Sequence, residues 1–523
     1  MGARLHEKKQ GRLWLLHGEH GNQIGRNVNR GSTTLNLVAA ERAEELLTDT
    51  SLTNEVDTVL RRIDDGYRAA SAVGWTEFRR VADGFDVIDE TALNPLRNQN
   101  TGQRTTVESE QAHPGARLGD HATPNAMESI AQYFDSPHAP EVVILHAPTH
   151  RFHENAGEHG SLTASQSRAP FIAAGAGVIA RGIVEEHLRT VDVAPTLAAL
   201  MGLPLVDGHD GLGAPRSGAR LSVQDGDERS ELIDPEGSAD HVVVFLWDGV
   251  NINTLHEEAA AGRAPNLASL IATGTSYRHG AFASLPTATL ANHMTQSTGV
   301  FPGRSGVLHN AWHDRRRGQD VDLLDFAQMI TARDHLRPDI ETLHEAVHRA
   351  DPHARTATTY EYGDRGADYS TYALMASGEP VLDMSEEERR RHRTAEFMAE
   401  PQFRSMSVVD AHSMSQACQI WRGELGALPR FSWFTLNLTD PSGHVGGPAS
   451  ELARAAIHDS DARMGEVIGE INRSGALERT AIVMMADHGM QQISESEPVD
   501  LSALLTGAGI SHHMIDDQYV YLR

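Results

Sequence analysis

Runs of apolar residues are the strongest pattern in the second half of the chain. Residues 241–247 (HVVVFLW), 431–439 (FSWFTLNLT) and 480–485 (TAIVMM) are rich in apolar and β-branched residues, as is typical of strands buried on both faces of a parallel sheet. A helix is predicted over 448–471, with proline at its start and Gly475 just beyond it. Strands that alternate with helices predict an α/β fold with a doubly wound, mainly parallel sheet flanked by helices.

The first half of the chain contains shorter and more varied patterns. Residues 37–47 and 54–62 indicate helices, and residues 141–147 (EVVILHA) and 169–174 (APFIAA) indicate strands. A further helix is predicted over 191–201, because its periodic apolar pattern is followed by glycine and then proline. These elements are also consistent with an α/β architecture.

Composition divides the chain into four segments. Residues 1–35 are polar and rich in Gly and Asn, and we predict that they are poorly ordered. Residues 36–222 and 241–523 contain the predicted helices and strands, and residues 223–240, with many Gly, Asp, Ser and Pro, are predicted to link them. Within the last segment, residues 306–430 are predicted to contain a cap insertion that shapes the binding pocket.

Charge and cysteine content narrow the class of partner. The chain has 523 residues and a net charge of -27, so it lacks the basic surplus that a nucleic-acid partner requires. Its N-terminal apolar run is too short for a signal peptide, and no run approaches the length of a membrane span. The single cysteine, Cys418, fits a reducing compartment. We therefore expect a cytoplasmic protein with a small-molecule substrate, without a nucleic-acid or membrane partner.

An aspartate follows each of the three apolar runs, at Asp248, Asp440 and Asp487. One such aspartate is most often a helix cap or a loop residue, but the carboxyl ends of parallel strands meet at one edge of a sheet. His444 and His488 lie close to two of the three in sequence. Oxygen and nitrogen ligands without thiolate suit Zn²⁺, with Mn²⁺, iron and cobalt as alternatives.

A nucleophile is predicted in the segment LPTATLANHMTQSTG. A helix over 290–296 would place Thr289 at its N-terminus, where free backbone N–H groups favour an anion. In isolation Thr289 would be assigned as a helix cap, and Thr287 is a competing candidate. A threonine hydroxyl needs a base or a metal to act as a nucleophile. Asn292 lies one helical turn on, where its amide could donate to a phosphate oxygen or could simply lie on the surface.

Four short motifs together carry a family resemblance. They are Asp248-Gly249, Thr289-Leu-Ala-Asn292-His293, Asp440-x-x-Gly443-His444 and Asp487-His488-Gly489-Met490. This set resembles the alkaline phosphatase superfamily, and most closely its nucleotide pyrophosphatase/phosphodiesterase branch. The resemblance implies an alkaline phosphatase-like fold with two divalent metal ions. It implies that one ion is held by Asp248, Thr289, Asp487 and His488, and the other by Asp440, His444 and a later histidine that precedes a glycine.

That last histidine is missing from its expected place near the end of the chain. His512 and His513 follow Asp487, but neither precedes a glycine. His159 does precede a glycine, and the sequences RAPFIAAGAGV and RTVDVAPTLAALMGLP after it resemble the family's C-terminal strand and helix. His159 is therefore the predicted seventh metal ligand.

A circular permutation is the simplest account of this order. Residues 36–222 would be the family's C-terminal part moved to the front, and residues 223–240 would join it to 241–523. Two alternatives are fragments of two domains, each completed by another subunit, and an inactive remnant. The tetrapeptide GEHG also occurs around His20, but without the strand and helix that follow His159.

The resemblance implies a metal-dependent hydrolase that cleaves phosphodiester or pyrophosphate bonds in a small phosphate ester or nucleotide, through a phospho-threonine intermediate. A phosphomonoesterase or a phosphonate hydrolase of the same superfamily is the alternative enzyme. A phosphate-ligand-binding remnant without activity is the alternative from another class. A sulfatase is disfavoured, because the sequence around Cys418 lacks the Cys/Ser-x-Pro-x-Arg motif.

Overall fold

The structure is a computed structural model that describes residues 30–113, 121–150, 155–391, 400–494 and 499–523. Residues 1–35 are predicted to be poorly ordered, and residues 1–29 of this segment lie outside the described residues. A helix begins at Arg30 and ends at Leu47. No helix in the described ranges is both long and apolar enough to cross a bilayer.

Half of the strands lie before residue 241 and half after it. The first twelve are β1 (Val56–Ile63), β2 (Gly66–Ser71), β3 (Gly74–Val81), β4 (Gly84–Glu90), β5 (Val142–His146), β6 (Gly157–Glu158), β7 (Arg168–Ala169), β8 (Phe171–Gly175), β9 (Gly182–Val184), β10 (Leu188–Arg189), β11 (Val206–His209) and β12 (Pro215–Ala219). The others are β13 (His241–Trp247), β14 (Thr275–Tyr277), β15 (Ala281–Phe282), β16 (Ala311–Asp314), β17 (Gln319–Asp322), β18 (Thr356–Thr359), β19 (Tyr369–Ser370), β20 (Phe431–Leu436), β21 (Thr480–Met485), β22 (Gln491–Gln492), β23 (His512–Ile515) and β24 (Tyr519–Leu522).

Most of the helices lie in the second half of the chain. The first five are α1 (Arg30–Leu47), α2 (Val107–Gln111), α3 (Ala126–Tyr133), α4 (Ala164–Ser167) and α5 (Val193–Leu200). The others are α6 (Ile252–Ala260), α7 (Pro265–Thr273), α8 (Thr289–Thr298), α9 (Pro302–Ser305), α10 (Phe326–Met329), α11 (Leu343–Ala350), α12 (Thr371–Ser377), α13 (Glu386–Arg391), α14 (Pro401–Trp421), α15 (Thr439–Gly446), α16 (Glu451–Arg473) and α17 (Leu501–Gly507).

An eight-stranded sheet forms the centre of the protein, in the order β19-β18-β20-β13-β21-β8-β14-β9. The neighbours from β19 to β21 are parallel, whereas β8 is antiparallel to both β21 and β14. Every residue of β20 and β21 is buried, so both faces of the sheet are covered. The predicted mainly parallel α/β fold is therefore confirmed, with β8 as an antiparallel member.

A second sheet of seven strands, which the sequence patterns did not predict, has the order β23-β24-β5-β1-β2-β3-β4. All of its pairings are antiparallel. The helix predicted over 54–62 is wrong, because this segment contains β1, which is paired on both sides. The helix predicted over 37–47 is confirmed within α1.

The two ends of the described chain pack in one hydrophobic cluster. Ala43 and Leu47 of α1 are buried there with Leu505 of α17 and with Val520 and Leu522 of the last strand. The strand β24 also pairs with β5, through Tyr519 opposite Val143. Early and late parts of the chain are thus neighbours in one sheet and one core.

The segments predicted as linker and cap contact the body of the protein. Within 223–240, Val223 and Leu232 are buried, and Asp225 accepts hydrogen bonds from the Phe301 backbone N–H (3.1 Å) and the Arg304 guanidinium (2.6 Å). The range 306–430 contains β18 and β19 of the central sheet as well as the hairpin β16–β17.

Candidate active site

Three carboxylates meet at one edge of the central sheet. Asp248 directly follows β13, Asp487 lies two residues beyond β21, and Asp440 is the second residue of α15, shortly after β20. Because β13 lies between β20 and β21 and all three strands are parallel, their carboxyl ends meet at the same edge. The structure therefore brings the three predicted aspartates together.

Gly249 allows this close approach. It adopts a φ of +58°, and its backbone N–H donates to Asp487 Oδ1 at 3.0 Å. A Cβ at this position would collide with the Asp440 carboxylate. Glycine is thus required both by the left-handed backbone and by the space between two of the carboxylates.

His159 and His444 surround Asp440. The Nε2 atoms of the two histidines are 3.2 Å apart and lie 3.7 Å (His159) and 3.4 Å (His444) from Asp440 Oδ1. His159 is brought here by β6, which pairs with β22 just beyond Asp487-His488. A residue far upstream in the sequence thus joins the predicted ligands from the second half of the chain.

His488 lies between the other two carboxylates. Its Nε2 is 3.2 Å from Asp487 Oδ2, 3.7 Å from Asp248 Oδ1 and 3.3 Å from Thr289 Oγ1. Its ring also stacks on that of His159, with centroids 3.7 Å apart. The predicted nucleophile therefore contacts the predicted ligand set directly.

Each of the three histidines is oriented by a backbone carbonyl. The Nδ1 atoms of His159, His444 and His488 lie 2.7, 2.8 and 2.9 Å from the carbonyl oxygens of Thr287, Gly157 and Gly489, respectively. A carbonyl can only accept, so Nδ1 carries a hydrogen in each ring and Nε2 is the nitrogen that faces the carboxylates. In the neutral ring, Nε2 would therefore be the atom that offers a lone pair to a metal ion.

A cluster of buried atoms at this edge has no hydrogen-bond partner among the described residues. The atoms are Asp248 Oδ1, Asp440 Oδ1, Asp487 Oδ2 and His293 Nε2. Unpaired buried acceptors of this kind are costly unless a cation satisfies them. The groups His159–Asp440–His444 and Asp248–Asp440–His488 each place their ligand atoms within 4.8 Å of one another. The donor set therefore fits divalent metal ions bound by oxygen and nitrogen.

Burial and neighbouring charged side chains shift the pKa values of the same groups. Burial raises the pKa of Asp248 well above its usual value, and the nearby carboxylates of Asp487 and Asp440 raise it further. Burial lowers the pKa of His444, but the Asp440 carboxylate outweighs this effect and raises it to about 9. Burial lowers the pKa of His159 well below its usual value, and the neighbouring His488 adds to the shift.

The sequence analysis assigned no role to His293, which the structure places beside Asp487. His293 Nε2 is 3.8 Å from Asp487 Oδ2, and its Nδ1 is 2.7 Å from Glu361 Oε2. Both side chains of the His293–Glu361 pair are fully buried. Burial lowers the pKa of His293, but Glu361 and then Asp487 outweigh it, so the pKa is raised. The motif around Thr289 contains His293, whereas its partner Glu361 lies in no recognised motif.

Thr289 lies at the first position of α8 and lines a cavity of about 250 Å³. The competing candidate Thr287 is fully buried, and its Oγ1 donates to the Ser161 carbonyl (2.9 Å) and accepts from the Gly160 N–H (2.8 Å). Thr287 therefore supports the loop that carries His159, and Thr289 is the threonine that is open to the cavity.

Sequence comparison gives a match over the part of the chain that holds most of this site. The model of the type I phosphodiesterase / nucleotide pyrophosphatase family matches residues 242–523, more than half of the chain. The chain belongs to the type I phosphodiesterase / nucleotide pyrophosphatase family. The family match includes Asp248, Thr289, Asp440 and Asp487, whereas His159 lies outside it. No curated protein sequence matches the chain.

Three solved structures are similar to parts of this family member. Inactive murine ectonucleotide pyrophosphatase/phosphodiesterase 5 in complex with AMP is 17% identical, with a TM-score of 0.34, over 50% of this chain and 60% of that one. Phosphonoacetate hydrolase from Sinorhizobium meliloti 1021 is 18% identical in complex with phosphonoformate (TM-score 0.31, 48% of this chain and 56% of that one). Its complex with phosphonoacetate is 16% identical (TM-score 0.32, 51% and 62%). The chain thus spans about 60% of the length of these structures.

The role predicted for Asn292 needs correction. This side chain is fully buried, and its amide nitrogen donates to the carbonyls of Ser284 (3.2 Å), Pro286 (2.9 Å) and Ala288 (3.2 Å). Its Oδ1 accepts from the Ser284 N–H at 2.8 Å. Asn292 therefore holds the loop before α8 and has no group free to bind a phosphate.

Asn310 is an asparagine near Thr289 that the sequence analysis did not single out. It lines the cavity, and its Oδ1 accepts from the Leu290 N–H at 3.0 Å, next to Thr289. Its amide also contains an N–H₂ group, which can only donate. No motif in the sequence distinguishes Asn310, because it lies 21 positions after Thr289 in an irregular segment.

Proposed function

We propose that this protein is a metal-dependent hydrolase that cleaves phosphodiester or pyrophosphate bonds through a phospho-threonine intermediate on Thr289. The observation that carries the proposal is the Thr289 hydroxyl, which is 3.3 Å from His488 in an open cavity and adjoins buried, unpaired carboxylate oxygens. A hydroxyl group beside metal-ligand residues can act as a nucleophile once its pKa is lowered. Family membership agrees with this chemistry.

Two divalent ions are proposed for the site, with Zn²⁺ as the first candidate. Asp248, Asp487, His488 and Thr289 would hold one ion. Asp440, His444 and His159 would hold the other. When bound, such ions lower the pKa of a hydroxyl group and stabilise negative charge on phosphate oxygens.

The residues of the chain supply the nucleophile and the orientation. In the first step the Thr289 hydroxyl loses its proton to solvent and its oxygen bonds to phosphorus, while the bond to the leaving oxygen breaks and that oxygen takes up a proton. In the second step water cleaves the phospho-threonine, releases the phosphoryl product and restores the hydroxyl. The Asn310 amide is proposed to donate to a non-bridging phosphate oxygen throughout, in place of Asn292.

The charge of the cavity favours a diester over a monoester. Among the described residues that line it there is no lysine or arginine, and it carries the carboxylates of Glu158 and Asp516 in addition to Asp440. A phosphodiester has one negative charge near neutral pH, whereas a phosphomonoester or a phosphonate approaches two. Because Asp440 would be neutralised by its proposed ion, Glu158 and Asp516 are the carboxylates that would repel the second charge, and no lysine or arginine among these lining residues would offset them.

We also propose that the chain order is a circular permutation of the family's order. Support comes from β8, which follows His159 in sequence and pairs with β21 in the central sheet. Further support comes from the shared hydrophobic cluster of α1 and β24, which places the two ends to be joined side by side.

The test compares hydrolysis of bis-p-nitrophenyl phosphate and p-nitrophenyl phosphate by the zinc-loaded protein, with Thr289→Ala as the blank. We expect faster cleavage of the diester, lost in the variant. A preference for the monoester would reassign the protein to the phosphomonoesterases. Equal rates for the protein and Thr289→Ala would contradict the proposed nucleophile.

A further inference from the structure

Two hairpins bring a second group of metal-ligand residues together outside the cavity. His313 and Asp320 lie opposite each other in the antiparallel pair β16–β17, and His513 lies in β23 of the neighbouring hairpin β23–β24. His313 Nδ1 is 2.8 Å from Asp320 Oδ1, and His513 Nε2 is 2.9 Å from the same oxygen and 3.0 Å from Asp320 Oδ2. Two imidazoles from different hairpins thus share one carboxylate.

The surroundings hold both rings in place. Tyr521 lies opposite His513 in the pair β23–β24, and its hydroxyl accepts from the His313 backbone N–H at 3.2 Å. The ring of His313 is edge-on to those of Tyr521 (centroids 5.6 Å apart) and His513 (5.4 Å apart). Because strands and rings position the donors, little side-chain freedom would be lost on binding an ion.

The group is accessible to solvent. The side chains of His313, Asp320 and His513 are 24%, 49% and 25% exposed. Three protein ligands of the His₂-carboxylate type, with water able to complete the coordination, suit Zn²⁺ and related ions. The ligand atoms lie within 4.8 Å of one another, the same criterion that the groups in the cavity satisfy.

We propose that His313, Asp320 and His513 form a separate binding site for a divalent transition-metal ion, which ties the hairpin β16–β17 to the hairpin β23–β24. On binding, the hydrogens that the two histidines direct at Asp320 would move to their other ring nitrogens, so that each imidazole offers a lone pair to the ion. The proposal does not depend on the chemistry at Thr289.

The position of the hairpins gives this site a link to the cavity. His309 and Asn310 directly precede β16, and Asp516 and Gln518 lie between β23 and β24; all four line the cavity. His309 Nε2 is 3.8 Å from Asp516 Oδ2, so the segment before β16 and the turn between β23 and β24 face each other at the cavity. An ion that joins the hairpins would therefore fix the distance between two parts of the cavity wall.

The first experiment counts bound zinc in the full chain by equilibrium dialysis and elemental analysis. Asp320→Asn keeps hydrogen-bonding groups for both histidines but removes the anionic ligand, and His513→Ala removes one nitrogen. We expect each variant to bind one zinc ion per chain fewer than the unmodified protein, or to bind that ion more than ~100-fold more weakly. A loss of this size exceeds the usual effect of changing a residue that only supports a metal ligand. The matched control is His353→Ala, which removes an exposed histidine elsewhere. Unchanged zinc content in both variants would overturn the proposal.

A second measurement tests the link between the hairpins. Amide hydrogen exchange in β16, β17 and β23 should slow when Zn²⁺ is added to the unmodified protein, and should not change in Asp320→Asn. His444→Ala removes a ligand of the cavity and should retain the slowing, which separates this site from the proposed catalytic ions. Equal slowing with and without Asp320 would refute the link.

Discussion

Two stretches of the chain, one before residue 241 and one from residue 241 onward, supply the predicted metal ligands, and they position these side chains differently. Residues 241–523 supply Asp248, Asp440 and Asp487 from the ends of adjacent parallel strands, where sheet geometry alone makes them neighbours. The earlier stretch supplies His159 from a loop, held by the short pair β6–β22 and by its hydrogen bond to the Thr287 carbonyl. The first set of positions follows from the fold class, whereas the second depends on contacts between distant segments.

The largest expected effect comes from the later stretch. Thr289→Ala removes the proposed nucleophile, and we expect diesterase activity to fall by about four to six orders of magnitude, as for other covalent nucleophiles. Zinc content should stay nearly intact, because the aspartates and histidines remain. Thr289→Ser, which retains a hydroxyl, is the matched control and should keep measurable activity. Turnover by the alanine variant near that of the unmodified protein would rule out this role.

His159→Ala tests the earlier stretch. Because only His444 and Asp440 would remain of the second proposed ligand group, we expect the zinc content to fall by about one ion per chain, with a large loss of activity. His20→Ala is the matched control, since His20 stands in the same tetrapeptide, GEHG. If the zinc content fell in His20→Ala but not in His159→Ala, His20 would be the metal ligand in place of His159. That result would weaken the case for permutation.

The two asparagines should behave in opposite ways. Asn310→Asp keeps an oxygen that can accept from the Leu290 N–H but removes the amide donor. It should lower kcat/KM by about 10²–10³ or more, the usual effect of losing one donor to a developing negative charge, with little change in stability. Asn292→Ala leaves several buried backbone groups unpaired and should instead lower the free energy of unfolding by about 1–3 kcal/mol. Assays per folded molecule, beside thermal unfolding, separate these results. A pure activity loss for Asn292→Ala would reverse our correction.

The smallest effect is expected when the chain is rotated into the order that the proposed permutation implies for the family. A rotated chain that starts at residue 241, joins residue 523 to residue 30 and ends at residue 240 should fold and retain nearly unchanged activity, because it keeps α1 and the buried segment 223–240. The reason is that α1 and β24 already share one core, so a short join between them disturbs few contacts. Circular dichroism and the diesterase assay are the measurements. A rotated chain that does not fold would contradict the permutation.

Much of the central architecture could be predicted from the sequence. The apolar runs that form β13 and β21 are confirmed over the predicted residues, and the aspartates beyond them converge as parallel strands require. These predictions succeed because strand burial and sheet polarity are local properties with a visible pattern. The motif that contains Thr289 was recognisable for the same reason, because its residues are close together in sequence at the start of one helix.

Only the tertiary structure decided the remaining features. The segment that forms β1 is predicted as a helix because Val56, Val59 and Leu60 have helical spacing. Its pairing with β2 and β5 selects the strand instead. Asn292 and Asn310 could not be ranked from sequence, because their roles depend on which backbone groups each side chain meets. The antiparallel sheet, the position of His159 and the group around Asp320 likewise arise from segments far apart in the chain. Local periodicity carries no information about contacts at that separation, whereas packing in three dimensions determines them.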